Sequence, residues 1–144
     1  MPSQTFSTSA PTQAPRRFVW ARLGESKTWE GITGVDEVFD EVFDNDGALA
    51  GFKFYTSLGG RQYVGTASPG AREEGHSLSW NIATPEISGV VTVGLAPAED
   101  GTIVDVTMRV EAVSLMASMA FPFIATAIGN GFQATVDEFV AGFE

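Results

Sequence analysis

The stretch LMASMAFPFIATAIGNGFQATVDEFVAGFE, residues 115–144, decides how the rest of the chain folds. No charged residue occurs from Ala112 to Val136. In its second half the large apolar groups Phe132, Val136, Phe139, Val140 and Phe143 recur at offsets that fall on one stripe of a helix. The first half, with Leu115, Met116, Met119, Phe121, Phe123, Ile124 and Ile128, is apolar nearly all the way round. Such a helix needs cover on several sides, from protein, from lipid or from a bound ligand.

An uncharged run of this length could cross a bilayer. Against that, Ser114, Ser118, Thr126, Asn130 and Gln133 interrupt it, and Gly129 and Gly131 loosen it. Asp137 and Glu138 follow it where a span would be anchored by Lys or Arg. The expectation is a helix that closes a soluble domain, without stable membrane insertion. Pro122 either starts this helix or kinks it, because proline removes a backbone bond and pushes on the carbonyl four residues back.

Upstream of the helix the chain reads as β-structure. Residues 102–113 alternate most clearly, with Val104, Val106, Met108 and Val110 on one side and Asp105, Thr107, Arg109 and Glu111 on the other. That is an antiparallel strand with one wet face. Residues 87–96 and 76–84 read as further strands, separated by a break at Pro85, and residues 62–67 as another that ends in a Pro69-Gly70 turn. Residues 35–44 carry apolar groups nearer to helical spacing than to alternation. They run into Asn45-Asp46-Gly47, a hairpin signal, so the expectation is a hairpin of 35–44 with 48–56, bounded by Gly59-Gly60. Near the start, a short strand around Phe6 precedes two short helices, one through Phe18, Val19, Trp20 and Leu23 and one carrying Trp29.

The predicted fold is therefore α+β: a curved antiparallel sheet of six to seven strands wrapped around a long C-terminal helix, with two short helices after the first strand. At 144 residues the chain is read as one domain, residues 1–144. Eight basic against eighteen acidic residues give a net charge of −10, which disfavours nucleic acid and anionic membrane surfaces as partners. There is no cysteine, and the first residues lack the pattern of a signal peptide, so a cytoplasmic location is expected.

Three local matches in this order carry a family resemblance: APTQAPRRFVWARLGESKTW at residues 10–29, LSW at 78–80, and LAPAEDGTIVDVTMRV at 95–110. With the closing helix, the chain resembles the START-like, or SRPBCC, superfamily of helix-grip folds, and within it the polyketide cyclase/dehydrase-like branch. The resemblance implies a cavity between helix and sheet that holds a hydrophobic or amphipathic small molecule. It does not imply one chemistry, since such folds serve carriers, cyclases, hydrolases and co-chaperones. On this expectation Phe52, Phe54, Tyr63, Trp80, Val106, Met108, Met119, Phe123 and Ala127 line the site, with Pro122 making the helix start a movable gate.

Other motifs carry little chemistry. His76 is the single histidine, and with Tyr63 it is the weak candidate for acid–base work. One histidine and no cysteine leave no metal site to propose, and no cofactor is expected. Residues 129–134, GNGFQA, share the letters of a dinucleotide fingerprint without a preceding strand, so their glycines are read as permitting close approach of helix to sheet. Asp36, Glu37, Asp40, Glu41 and Asp44 read as a solvated strand edge. Three functions follow: a binding protein for a lipid or aromatic polyketide-like molecule, a cyclase or dehydratase acting on such a ligand, or a co-chaperone-like interaction domain.

Overall fold

The computed structural model describes residues 2–30, 35–58 and 61–144. Seven strands form one antiparallel sheet: β1 (Ser3–Thr12), β2 (Glu37–Phe43), β3 (Leu49–Leu58), β4 (Arg61–Glu73), β5 (Ser77–Ala83), β6 (Ile87–Ala98) and β7 (Gly101–Ala112). Their order is β1-β7-β6-β5-β4-β3-β2, so β2 to β7 meander and β1 returns to the free edge of β7. Helix α1 (Arg16–Leu23) and a 3₁₀ turn (Ser26–Trp29) follow β1, and the long helix α2 (Leu115–Ala141) follows β7. The expected break at Gly59-Gly60 lies outside the described residues.

Alternation sets the inner face. On β7, Thr102, Val104, Val106, Met108, Val110 and Ala112 are buried, while Asp105 and Arg109 face water. Val104, Val106 and Met108 pair with Leu95, Val93 and Val91 of β6, so two apolar rows lie side by side. Within the expected strand 35–44, β2 forms over Glu37–Phe43 although its apolar spacing is not two. Register shifts between Phe39 and Val42 and again before Phe43, and Asp40 adopts φ +50. A bulge there breaks the alternation and imitates a helical period. The hairpin turn itself is built as its letters predict: Gly47 has φ +83, and Asp44 Oδ1 accepts from the N–H of Asp46 at 2.9 Å and of Ala48 at 3.0 Å.

The turn expected at Pro69-Gly70 is a correction. Both residues lie within β4, and the chain reverses at Glu74-Gly75-His76, where Gly75 has φ +76. The pairing steps from Pro69↔Trp80 to Arg72↔Leu78, three residues on β4 against two on β5. A bulge is one of the few places in a sheet that tolerates proline.

Helix α2 begins at Leu115, capped by Ser114, whose Oγ accepts from the N–H of Ala117 at 3.0 Å. Ser114 also hydrogen-bonds the Glu86 carboxylate, tying the helix start to the β5–β6 turn. The helix continues through Pro122, so the proline neither starts nor ends it. By length and composition α2 is apolar enough to cross a bilayer; here it lies along the sheet as a core helix. Ala117, Phe121, Ala125, Phe132, Val136 and Val140 are its buried stripe, and Phe143 packs just beyond its end. Its closest approach to the sheet is over β1 and β7. There the Phe132 ring meets Phe6 at 5.8 Å, and a Cβ on Gly129 would lie 3.1 Å from the Phe6 ring. Gly129 thus serves the close approach read from the sequence, while Gly131 faces open space.

The β1–β7 corner is held by buried polar bonds. Thr102 Oγ1 donates to the Ala14 carbonyl at 2.9 Å, the Ala14 N–H donates to Thr12 Oγ1 at 3.2 Å, and both threonines are buried. Thr102→Val keeps the shape and leaves the Ala14 carbonyl without its donor. Urea titration should show a loss of about 1–3 kcal/mol, with the slope of the transition unchanged.

Candidate functional site

Because α2 sits over one side of the sheet, the other side is left partly uncovered, and a cavity of about 530 Å³ lies beneath the first half of the helix. Its floor is Phe52, Phe54 and Thr56 of β3, Trp80 and Ile82 of β5, Ile87, Gly89 and Val91 of β6, and Met108 and Val110 of β7. Its roof is Ala120, Phe123, Ile124, Ala127 and Ile128 of α2.

One end is an aromatic corner. Trp80 meets Trp29 edge-on at 6.0 Å and Phe52 edge-on at 5.2 Å, and Trp29 packs on Phe139 at 5.6 Å. The Trp29 ring is fixed by its Nε1–H, which donates to the Leu23 carbonyl at 3.0 Å. Elsewhere the floor depends on a missing side chain. Phe54 pairs with Gly65 of β4, and a Cβ on Gly65 would lie 2.3 Å from the tip of the Phe54 ring. The ring lies flat over that glycine, which keeps it low in the cavity.

No titratable side chain lines the cavity among the described residues. Its polar wall atoms are few and mostly occupied. Thr84 Oγ1 bonds within its own turn, accepting from the Ile87 N–H at 2.9 Å, and Ser57 Oγ donates to Asp36 Oδ2 at 3.0 Å.

Six of the nine residues expected at the site stand at the cavity wall: Phe52, Phe54, Trp80, Met108, Phe123 and Ala127. Three do not. Val106 shares the inner face with Met108 but is 0% exposed, packed in the core away from the cavity. Met119 is 76% exposed, on the outward side of α2. Tyr63 shares the inner face with Gly65 and Ala67 and pairs with Thr56, yet it lies outside the cavity lining. His76 is an exposed residue at the β4–β5 turn, its Nδ1 3.4 Å from Arg16. Tyr55, on the outer face of β3, stacks on Phe39 at 4.5 Å. Alternation from Trp80 leads to Ile82 and from Val91 to Gly89 and Ile87, so these wall residues had a signal in the sequence; Trp29 had none.

No protein-family model matches the sequence, and no curated protein matches it in sequence. Solved structures match it in fold. A START superfamily protein from Mycobacterium smegmatis superposes with a TM-score of 0.73 over 99% of both chains, at 10% identity. The Zhui aromatase/cyclase from a Streptomyces species gives 0.74 over 99% of this chain and 94% of its own, also at 10% identity. A major latex-like protein from Panax ginseng gives 0.61 over 96% and 95%, at 12% identity. At such identities the likeness is one of fold. The fold that these structures share with the chain is the helix-grip fold, an antiparallel sheet closed by a long C-terminal helix.

The Phe54–Gly65 pair gives a direct test of how the floor is built. Gly65→Ala should destabilise the protein by about 1–3 kcal/mol through overpacking. Adding Phe54→Leu to it should recover part of that loss, so that a double-mutant cycle in urea shows clear non-additivity.

Proposed function

We propose that the protein binds a hydrophobic small molecule in the cavity between α2 and the sheet. The observation that carries this reading is a space of about 530 Å³ whose described walls are apolar and free of titratable groups. Ligand pockets commonly measure about 300–1,000 Å³ and are lined by apolar and aromatic side chains with few polar atoms. Acid–base chemistry on a bound ligand would need ionisable groups at the wall. Tyr63 and His76 both stand off it, which favours binding over cyclase or dehydratase activity.

Phe52, Phe54, Trp80, Met108, Phe123 and Ala127 are the contacts we assign. Phe123 belongs to the wall and is also 79% exposed, so it stands at the mouth. The ligand passes this ring, next to Pro122, on its way in. A lipid or a polycyclic aromatic body suits the lining equally.

A neutral fluorescent hydrophobe such as N-phenylnaphthylamine should bind saturably, with amide shifts mapping to β3, β5 and α2. Ala120→Trp, which fills the roof, should weaken binding roughly tenfold or more, equivalent to about 1.4 kcal/mol. Shifts confined to exposed residues, or an Ala120→Trp variant that binds as well as wild type, would sink the reading.

A further inference from the structure

Five side chains at the described cavity wall carry nitrogen or oxygen: Trp29, Thr56, Ser57, Trp80 and Thr84. Three are committed within the protein. Trp29 Nε1 donates to the Leu23 carbonyl, Ser57 Oγ donates to Asp36 Oδ2, and Thr84 Oγ1 bonds within its own turn. Trp80 Nε1 has no partner, but it is sealed off and no ligand atom reaches it. Thr56 stands on the inner face of β3, two residues on from Phe54, and is 4% exposed. Its Oγ1 also has no hydrogen-bond partner among the described residues, yet it is not sealed: it keeps accessible surface, which in a wall residue this buried opens on the cavity. A hydroxyl can donate and accept, and leaving it unpaired in an apolar wall is costly. Valine has the same outline, is an equally good strand former and would avoid that cost. We propose that the Thr56 hydroxyl is the specificity-determining group of the cavity, and that it pairs with an uncharged oxygen at one end of an elongated apolar ligand.

This inference rests on the binding reading above and narrows it. The shape of the ligand follows from the strand. Phe52, at the aromatic corner with Trp80, lies four residues before Thr56, which is about 13 Å along β3. Between them the Phe54 ring lies over Gly65, so the floor is apolar along that length. A ligand whose body rests against Phe52 and Trp80 and whose oxygen meets Thr56 spans that distance. The oxygen is uncharged because no Lys, Arg or His stands at the described wall to balance a buried carboxylate. A long-chain alcohol or a ketone carried on two or three rings meets both conditions. A free fatty acid with its head group inside does not.

The ketone para-acetylbiphenyl and the hydrocarbon para-isopropylbiphenyl share one outline and differ in a carbonyl oxygen replaced by a methyl group. Their affinities for wild type, Thr56→Val and Thr56→Ser, measured by displacement of N-phenylnaphthylamine, form a cycle in which their different hydrophobicities cancel. The affinity of the ketone relative to the hydrocarbon should fall roughly three- to tenfold in Thr56→Val, the size of one net hydrogen bond, and persist in Thr56→Ser. The isotopically labelled carbonyl carbon of the bound ketone should resonate further downfield in wild type than in Thr56→Val. Urea titration should find Thr56→Val at least as stable as wild type, because no internal bond is lost. An affinity ratio that is the same in wild type and Thr56→Val, with the carbonyl resonance unmoved, overturns the inference and leaves the binding reading standing. If N-phenylnaphthylamine binds and neither biphenyl displaces it, the ligand shape assigned here is wrong and the inference falls alone. If N-phenylnaphthylamine does not bind either, the binding reading is lost with it.

Discussion

The contact of α2 with the β1–β7 edge determines how much of the sheet can be covered. Phe132 packs on Phe6, Gly129 lets the helix backbone come close to that ring, and the Thr8 hydroxyl reaches Gln133. These interactions hold the helix at one side of a seven-stranded sheet, and a single helix is only about 10 Å wide. Strands at the far side must then curl toward it or stay open, and the sheet twists as strands are added. The space under residues 120–128 is what remains. Its existence follows from where the helix is fastened.

That anchoring divides α2 into two chemically different halves. From Phe132 onward its apolar side chains bury themselves: Val136 and Val140 are fully enclosed, and Phe139 packs against Trp29 and Phe143. Each such large side chain contributes roughly 1.5–3 kcal/mol when buried. Before Phe132 only Ala117, Phe121 and Ala125 are enclosed. The helix is thus secured by its C-terminal half and by the Ser114 cap, with the roof of the cavity strung between the two.

Much of this was legible in the sequence, and the failures have identifiable causes. The strict alternation of β7 and the Asn45-Asp46-Gly47 turn each have one physical reading, and both elements formed as expected. Bulges defeated the simple period twice: at Asp40, where the pattern imitated a helix, and after Pro69, where a proline inside a strand imitated a turn. Register and face can be read for the cavity wall, and Phe52, Phe54, Trp80 and Met108, which alternation places on the inner face, stand at it. Val106 and Met119 were not separable from them, because their exclusion depends on how far along β7, and at what rotation, the helix docks. That is a tertiary fact with no local signature. Trp29 lies in a short turn without periodicity, and only its contacts with Trp80 and Phe139 reveal its place at the end of the cavity.

The exposed side of the first half of α2 is the feature that folding alone explains least. Leu115, Met116, Met119 and Phe123 are each 64–79% exposed, so they bury little and add little to stability. A surface helix would ordinarily carry charge there, and this chain has charge in abundance, with 26 ionisable Asp, Glu, Lys and Arg side chains in all (18 acidic and 8 basic). None falls between Ala112 and Val136. Phe123 belongs both to this exposed apolar set and to the cavity wall. A charged residue on that path would impose a desolvation cost on any oily molecule crossing it. On the binding reading proposed above, the uncharged run serves the passage of the ligand, since packing makes no use of it.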